Sequence, residues 1–234
     1  MKFSVHGCRG SIPVSSPENQ YYGGNTSCYT IETERSLVII DAGTGFKKIN
    51  LETGKECCLV FSHFHHDHLQ GLPFNASLFA NNNIIRAASE LVTPDQLEIV
   101  IRNTFSPPYF PISLVDVADR FEFTTIDEIN KILSSDLKIE TLALNHPGGS
   151  TAFKIYNSDA SVVCLCDNEY FAGQFDELKN FVAGSDLVIW DGMFTDDELQ
   201  AKKGWGHSSI QQALSFFEHS DAQRLLISHH DPSR

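Results

Sequence analysis

The sequence predicts a layered α/β fold. Short Val/Ile/Leu-rich runs recur along all 234 residues, stripes at helical spacing appear in the second half, and no Pro/Gly/Ser linker or internal repeat divides the chain. These observations point to one domain spanning residues 1–234, large enough to bury a substantial core.

Residues 2–6, 28–33, 37–41 and 58–62 read as strands, followed by 137–144, 151–156, 161–166, 187–190 and 224–228. Several are continuously apolar, as in strands covered on both faces. Residues 175–183 carry Phe175, Leu178, Phe181 and Val182 at helical spacing. In residues 208–219, Ile210, Ala213, Leu214 and Phe217 form a similar stripe. Residues 81–135 show no clear period. Their prolines at 107, 108 and 111 exclude regular structure locally, leaving a surface loop or a substrate-contacting segment as the two readings.

Seventeen Lys and Arg face thirty Asp and Glu, a formal net charge of -13. That balance argues against a partner such as nucleic acid, gripped through a broad basic surface, and favours a small substrate. With 41% hydrophobic and 20% charged residues, the composition excludes intrinsic disorder. No apolar run approaches the ~20 residues of a membrane span, and residues 1–6 lead directly into a strand pattern. The expectation is a soluble cytoplasmic protein without a membrane partner. The six cysteines form no CxxC pair, so they read as buried thiols.

Four of the ten histidines lie between positions 63 and 68, where the apolar run Leu59-Val60-Phe61-Ser62 meets His63-Phe64-His65-His66-Asp67-His68. On an extended chain His63 and His65 point to one side. Gly71 and Pro73 then turn the chain, which brings Asp67 and His68 round. Imidazole with carboxylate is a donor set for transition-metal ions.

The run His63-x-His65-x-Asp67-His68 resembles the HxHxDH signature of the metallo-β-lactamase superfamily. Residues 7–13 (GCRGSIP) and 22–27 (YGGNTS) resemble the entry segments of its tRNase Z and cyclic-nucleotide phosphodiesterase branch, and residues 38–45 (VIIDAGTG) the superfamily's early strand-to-Asp motif. The resemblance implies a four-layer αββα sandwich of two mixed β-sheets flanked by helices. It also implies further ligands: His146 in Asn145-His146-Pro147-Gly148-Gly149, Asp167 after Cys164-Leu165-Cys166, and His229 after Leu225-Leu226-Ile227-Ser228. His63, His65 and His146 would hold one ion and Asp67, His68 and His229 the other, with Asp167 bridging; His230 competes with His229. His66 fills the variable position of the motif, as a surface group, an outer contact or a competing ligand.

Two divalent ions ~3.5–4 Å apart can activate a bridging water and clamp both oxygens of an in-line displacement. Zinc suits these donors, and Mn2+ or Fe2+ are also accepted. Asp67 could additionally aim the water. Asp41 reads either as a group orienting a ligand histidine or as a strand-terminal turn residue. His207, in Gly204-Trp205-Gly206-His207-Ser208-Ser209, resembles the late histidine of the phosphodiesterase branch, which protonates the leaving oxygen. Ser208 or Ser209 can cap the helix that follows, whose N-terminus is a natural anion site.

The expected activity is thus a dinuclear metal-dependent phosphodiesterase acting on a small, including cyclic, nucleotide. The alternatives are a tRNA 3′-processing nuclease, a thioesterase or glyoxalase-type hydrolase, and a non-catalytic sensor. Homodimers are frequent in this family, although no sequence feature establishes one here.

Overall fold

A computed structural model of the protein describes residues 1–80, 84–117, 120–133 and 136–234. The chain divides into two compact units, one formed by Met1–Gly7 with Asn25–Leu137 and the other by Cys8–Gly24 with Lys138–Arg234.

In the first unit, β1 (Lys2–Gly7), β2 (Cys28–Glu32), β3 (Ser36–Ile40), β4 (Glu56–Phe61), β5 (Ile85–Ser89) and β6 (Phe121–Phe123) pair in sequence order. The first three strands run antiparallel; β3 through β6 run parallel. Every residue of β3 is buried, as is all of β4 except Glu56. That is why both read as unbroken apolar runs. The helices of this unit are α1 (His66–Leu69), α2 (Ser77–Ala80), α3 (Pro94–Thr104), α4 (Leu114–Val117) and α5 (Ile126–Leu133). Ile39, Leu59 and Phe61 pack with Leu69, Leu97 and Ile101 in its core.

Among its described residues, the segment without a legible period contains two strands and three helices; residues 81–83, 118–119 and 134–135 lie outside the described ones. Helix α3 begins with a reciprocal cap. Gln96 N–H donates to Thr93 Oγ1 at 3.3 Å, Thr93 N–H donates to Gln96 Oε1 at 3.0 Å, and Pro94 opens the first turn. Residues 105–113, which hold the prolines, form turns.

In the second unit, β7 (Lys138–Leu144), β8 (Ser150–Tyr156), β9 (Ser161–Leu165), β10 (Leu187–Asp191) and β11 (Leu225–Ser228) form a sheet in the order β11-β10-β9-β8-β7. The pairs β7–β8 and β8–β9 are antiparallel, while β9, β10 and β11 are parallel. Helix α6 (Phe175–Val182) connects β9 to β10, and α7 (Asp196–Ala201) and α8 (Ile210–Glu218) lie between β10 and β11. Trp190 packs on Phe216 with ring centroids 4.8 Å apart, amid Val163, Leu178, Val188 and Ala213.

Both sheets are mixed and carry helices, the α/β architecture that the sequence predicts. No helix of the described residues is long and apolar enough to cross a membrane. All six cysteines are buried and none is in a disulfide. Burial pushes the Cys57 and Cys58 thiols up to about 12.

Candidate active site

In the first unit, the site residues leave the C-terminal ends of β3 and β4. Asp41 follows β3 with φ +61°, in the left-handed region that Asp tolerates better than most residues. Its carboxylate accepts three hydrogen bonds: Ser62 N–H at 2.8 Å, Ser62 O–H at 2.7 Å, and His68 Nδ1 at 2.8 Å. Asp41 therefore fills both roles expected of it, closing the turn and orienting a histidine. The Asp41 contact at Nδ1 leaves the Nε2 edge of His68 on the Asp67 side, 3.5 Å from Oδ2. His68 and Asp67 lie on α1, and the His63 ring centroid is 4.5 Å from that of His65 and 4.2 Å from that of His68. His63, Asp67 and His68 are buried, whereas His65 and His66 are exposed. His66, the first residue of α1, is thus a surface group.

The second unit gathers His146, Asp167, His207 and His229. Asp167 follows β9 and His229 follows β11, both with left-handed φ of +59° and +55°. The two oxygens of Asp167 meet different imidazoles: Oδ1 lies 3.2 Å from His229 Nε2 and Oδ2 3.7 Å from His146 Nε2. His146 Nδ1 donates to the Gly206 carbonyl at 2.7 Å. Gly206 has φ +87°, and a Cβ there would sit 2.3 Å from His146 Nδ1, so only glycine lets this backbone come so close. Gly10 plays a comparable part for His229, whose Nδ1 would lie 2.6 Å from a Cβ at that position.

His207 Nδ1 meets Asp191 Oδ2 at 2.9 Å. Asp191 ends β10, is fully buried, and also accepts Met193 N–H at 3.0 Å and Asn168 N–H at 3.3 Å. One atom each from Asp167, His207 and His229 can be chosen so that all lie within 4.8 Å of one another. His229 is the one of the two histidines whose Nε2 lies against Asp167, while the backbone of His230 pairs with Cys8 and Gly10 at 2.9 Å each.

The helix following His207 is capped by one of the two serines expected for it. Ser209, not Ser208, caps it by accepting Gln212 N–H at 3.0 Å, and the Ser209 hydroxyl donates to Asp196. Ser208 donates instead to the Asn168 carbonyl. Asp196 therefore stands beside the N-cap of α8.

The residues present suit divalent metal ions. His68 and His146 have Nδ1 fixed by a carboxylate and a carbonyl, the outer contacts that hold ligating imidazoles in one tautomer and orientation. Asp167 offers one oxygen to each of two imidazole neighbours, which matches a bridging carboxylate. Residues 37–230 match the family model described as the Beta-lactamase superfamily domain. The chain belongs to this superfamily. Its fold is that of the metallo-β-lactamase-type hydrolases, a family of divalent-metal enzymes. Ribonuclease Z of Clostridium acetobutylicum is 22% identical over 97% of this chain and 87% of its own length. Among solved structures, the metallo-β-lactamase fold protein YhfI of Bacillus subtilis superposes with a TM-score of 0.71 at 19% identity, covering 98% of this chain and 86% of its own. The short form of human tRNase Z gives 0.70 at 17% identity, covering 99% and 93%.

Asp191 escaped the sequence reading, although it stands one residue past a predicted strand, as Asp41 and Asp167 stand at the ends of theirs. That recurring strand-to-Asp pattern was the available signal.

Proposed function

We propose that this chain is a dinuclear metal-dependent phosphodiesterase acting on a small, including cyclic, nucleotide, with residues 1–234 working as one cytoplasmic hydrolase domain. His63, His65 and His146 would hold one ion and Asp67, His68 and His229 the other, with Asp167 contributing to both, and zinc is the ion proposed. When bound, such ions lower the pKa of a water and neutralise charge on the phosphoryl oxygens. Asp67 orients the attacking water by accepting its hydrogen bond. His207 protonates the departing oxygen from its Nε2 edge, while Asp191 holds Nδ1 and stabilises the charged ring. Asp41 keeps His68 in a single tautomer.

The Asp191–His207 pair carries this reading. An imidazole tied to a buried carboxylate at 2.9 Å, in one group with Asp167 and His229, is equipped to move a proton beside metal ligands. The charge of -13 favours the small substrate. Likeness to ribonuclease Z supports a second reading, an RNA 3′-processing nuclease.

The test is metal analysis of protein purified without added metal, then a screen of cyclic nucleotides, dinucleotides, bis(4-nitrophenyl) phosphate and precursor tRNA on each metal form. Two ions per chain with turnover of cyclic nucleotides is the expected result. Salt-sensitive binding and cleavage of precursor tRNA alone would replace it with the nuclease reading, and no metal with no turnover after reconstitution would make the chain a sensor.

A further inference from the structure

Residues 204–206 form a Gly-Trp-Gly bend in which both glycines have positive φ, +85° and +87°. Successive N–H groups in such a bend make a small anion-binding concavity. A side chain of the protein fills it. Glu169 Oε1 and Oε2 both lie 2.9 Å from the Gly204 N–H, and Oε2 also accepts Gly206 N–H at 2.9 Å. The backbone of Glu169 is tied to the segment just before His146: its N–H donates to the Asn145 carbonyl at 2.7 Å, and its own carbonyl accepts Asn145 Nδ2 at 2.8 Å.

The residues on either side of these contacts are the functional ones. The carbonyl of Gly206 receives His146 Nδ1, and the next residue is His207. Glu169 lies two positions after Asp167. One carboxylate thus ties the bend that aims His146 and introduces His207 to the chain that carries Asp167. A lone surface glutamate would have no reason to meet two backbone amides from a segment 35–37 residues away.

We infer that Glu169 is a positioning residue: through its hold on Gly204 and Gly206 it sets the aim of the His146 and His207 imidazoles. The inference rests on the proposed roles of those two histidines for its kinetic consequence, but not for its effect on the bend.

The structure supplies a reporter. Trp205 lies inside the bend, 58% exposed, with the Lys202 ammonium 3.8 Å from its ring centroid, whereas Trp190, the second tryptophan, is buried. Iodide quenching of tryptophan fluorescence therefore reads the bend, with Trp190 as the shielded background.

The experiment compares wild type, Glu169→Ala and Glu169→Gln. Three quantities are measured: iodide quenching, zinc affinity by chelator competition, and kcat and KM on bis(4-nitrophenyl) phosphate. In Glu169→Ala, Trp205 quenching should change, zinc affinity should fall about ten-fold, as for loss of an outer-shell contact, and kcat should fall at least ten-fold with KM within two-fold. Glu169→Gln keeps one oxygen acceptor and should lie between the two. Quenching, zinc affinity and kcat all within two-fold of wild type in both variants would overturn the inference. So would a lowered melting temperature with unchanged turnover per folded molecule, which marks a purely structural glutamate. If Glu169→Ala does not fold, Glu169→Gln decides alone by the same readouts. A wild type inert on every phosphodiester would sink the proposed function, yet quenching and zinc competition would still judge Glu169.

Discussion

Asp41 and Asp191 occupy corresponding places in their two sheets, one just past β3 and the other at the end of β10, and each takes a histidine Nδ1, at 2.8 Å from His68 and 2.9 Å from His207. Their surroundings differ. Asp41 also serves both the amide and the hydroxyl of Ser62, and the His68 side chain it holds has no exposed surface. Asp191 spends its remaining capacity on two backbone amides, and its histidine keeps 11% of its side chain accessible. The same carboxylate–imidazole pair is thus sealed in one unit and left open at its edge in the other. A sealed imidazole suits holding a cation in a fixed place, whereas a partly open one can exchange a proton with a substrate.

Removing the open member should have the largest effect. His207→Ala is expected to retain both metal ions by elemental analysis while losing about 10²–10⁴-fold in turnover on bis(4-nitrophenyl) phosphate, the usual range for a lost general acid. Metal loss in step with activity would put His207 among the ligands and erase the distinction. Asp191→Asn sharpens the same point. It keeps an acceptor for Met193 N–H but turns an amide NH2 toward His207 Nδ1 and Asn168 N–H, so turnover should fall by up to about 10⁴-fold and unfolding free energy by about 1–3 kcal/mol.

The sealed pair should answer differently. Asp41→Ala strips the acceptor from Ser62 N–H, Ser62 O–H and His68 Nδ1 together, all buried, and should lower unfolding free energy by about 3 kcal/mol, with reduced metal content. A stable Asp41→Ala protein with normal metal and poor turnover would show that the two aspartates do one job. The smallest effect is predicted for Gly206→Ala, which forces a Cβ toward His146 at positive φ and should cost about 1–3 kcal/mol in denaturant unfolding.

Much of this was legible in the sequence because the parallel strands β3, β4, β9, β10 and β11 are nearly unbroken apolar runs, and the chemistry stands immediately after them. His63 stands just after such a run, whereas Asp167 and His229 were implied by the resemblance to the superfamily's motifs, and the strands β9 and β11 that precede them are the runs the sequence shows. What was missed has a common cause. Strand β6 has only three residues, and β5 reads Ile-Arg-Ala-Ala-Ser, too short and too small to show a period. Helix α5 buries Ile126, Ile129 and Leu133 and α3 has a legible cap, but each is short and stands among prolines and turns that interrupt any longer period. Glu169 and Gly10 act on groups distant in sequence, through backbone amides or by lacking a side chain, and no local pattern records such work.

Because the candidate chemistry of each sheet follows the C-terminal ends of its strands, exposed turns at the opposite ends can be engineered away from it. The turns at residues 53–54 before β4 and 157–160 before β9 enter their strands from the end away from the histidines. Short affinity handles or fluorescent labels inserted there should be tolerated as loop-tip insertions generally are, giving tagged proteins whose proposed ligands and proton donor stay untouched.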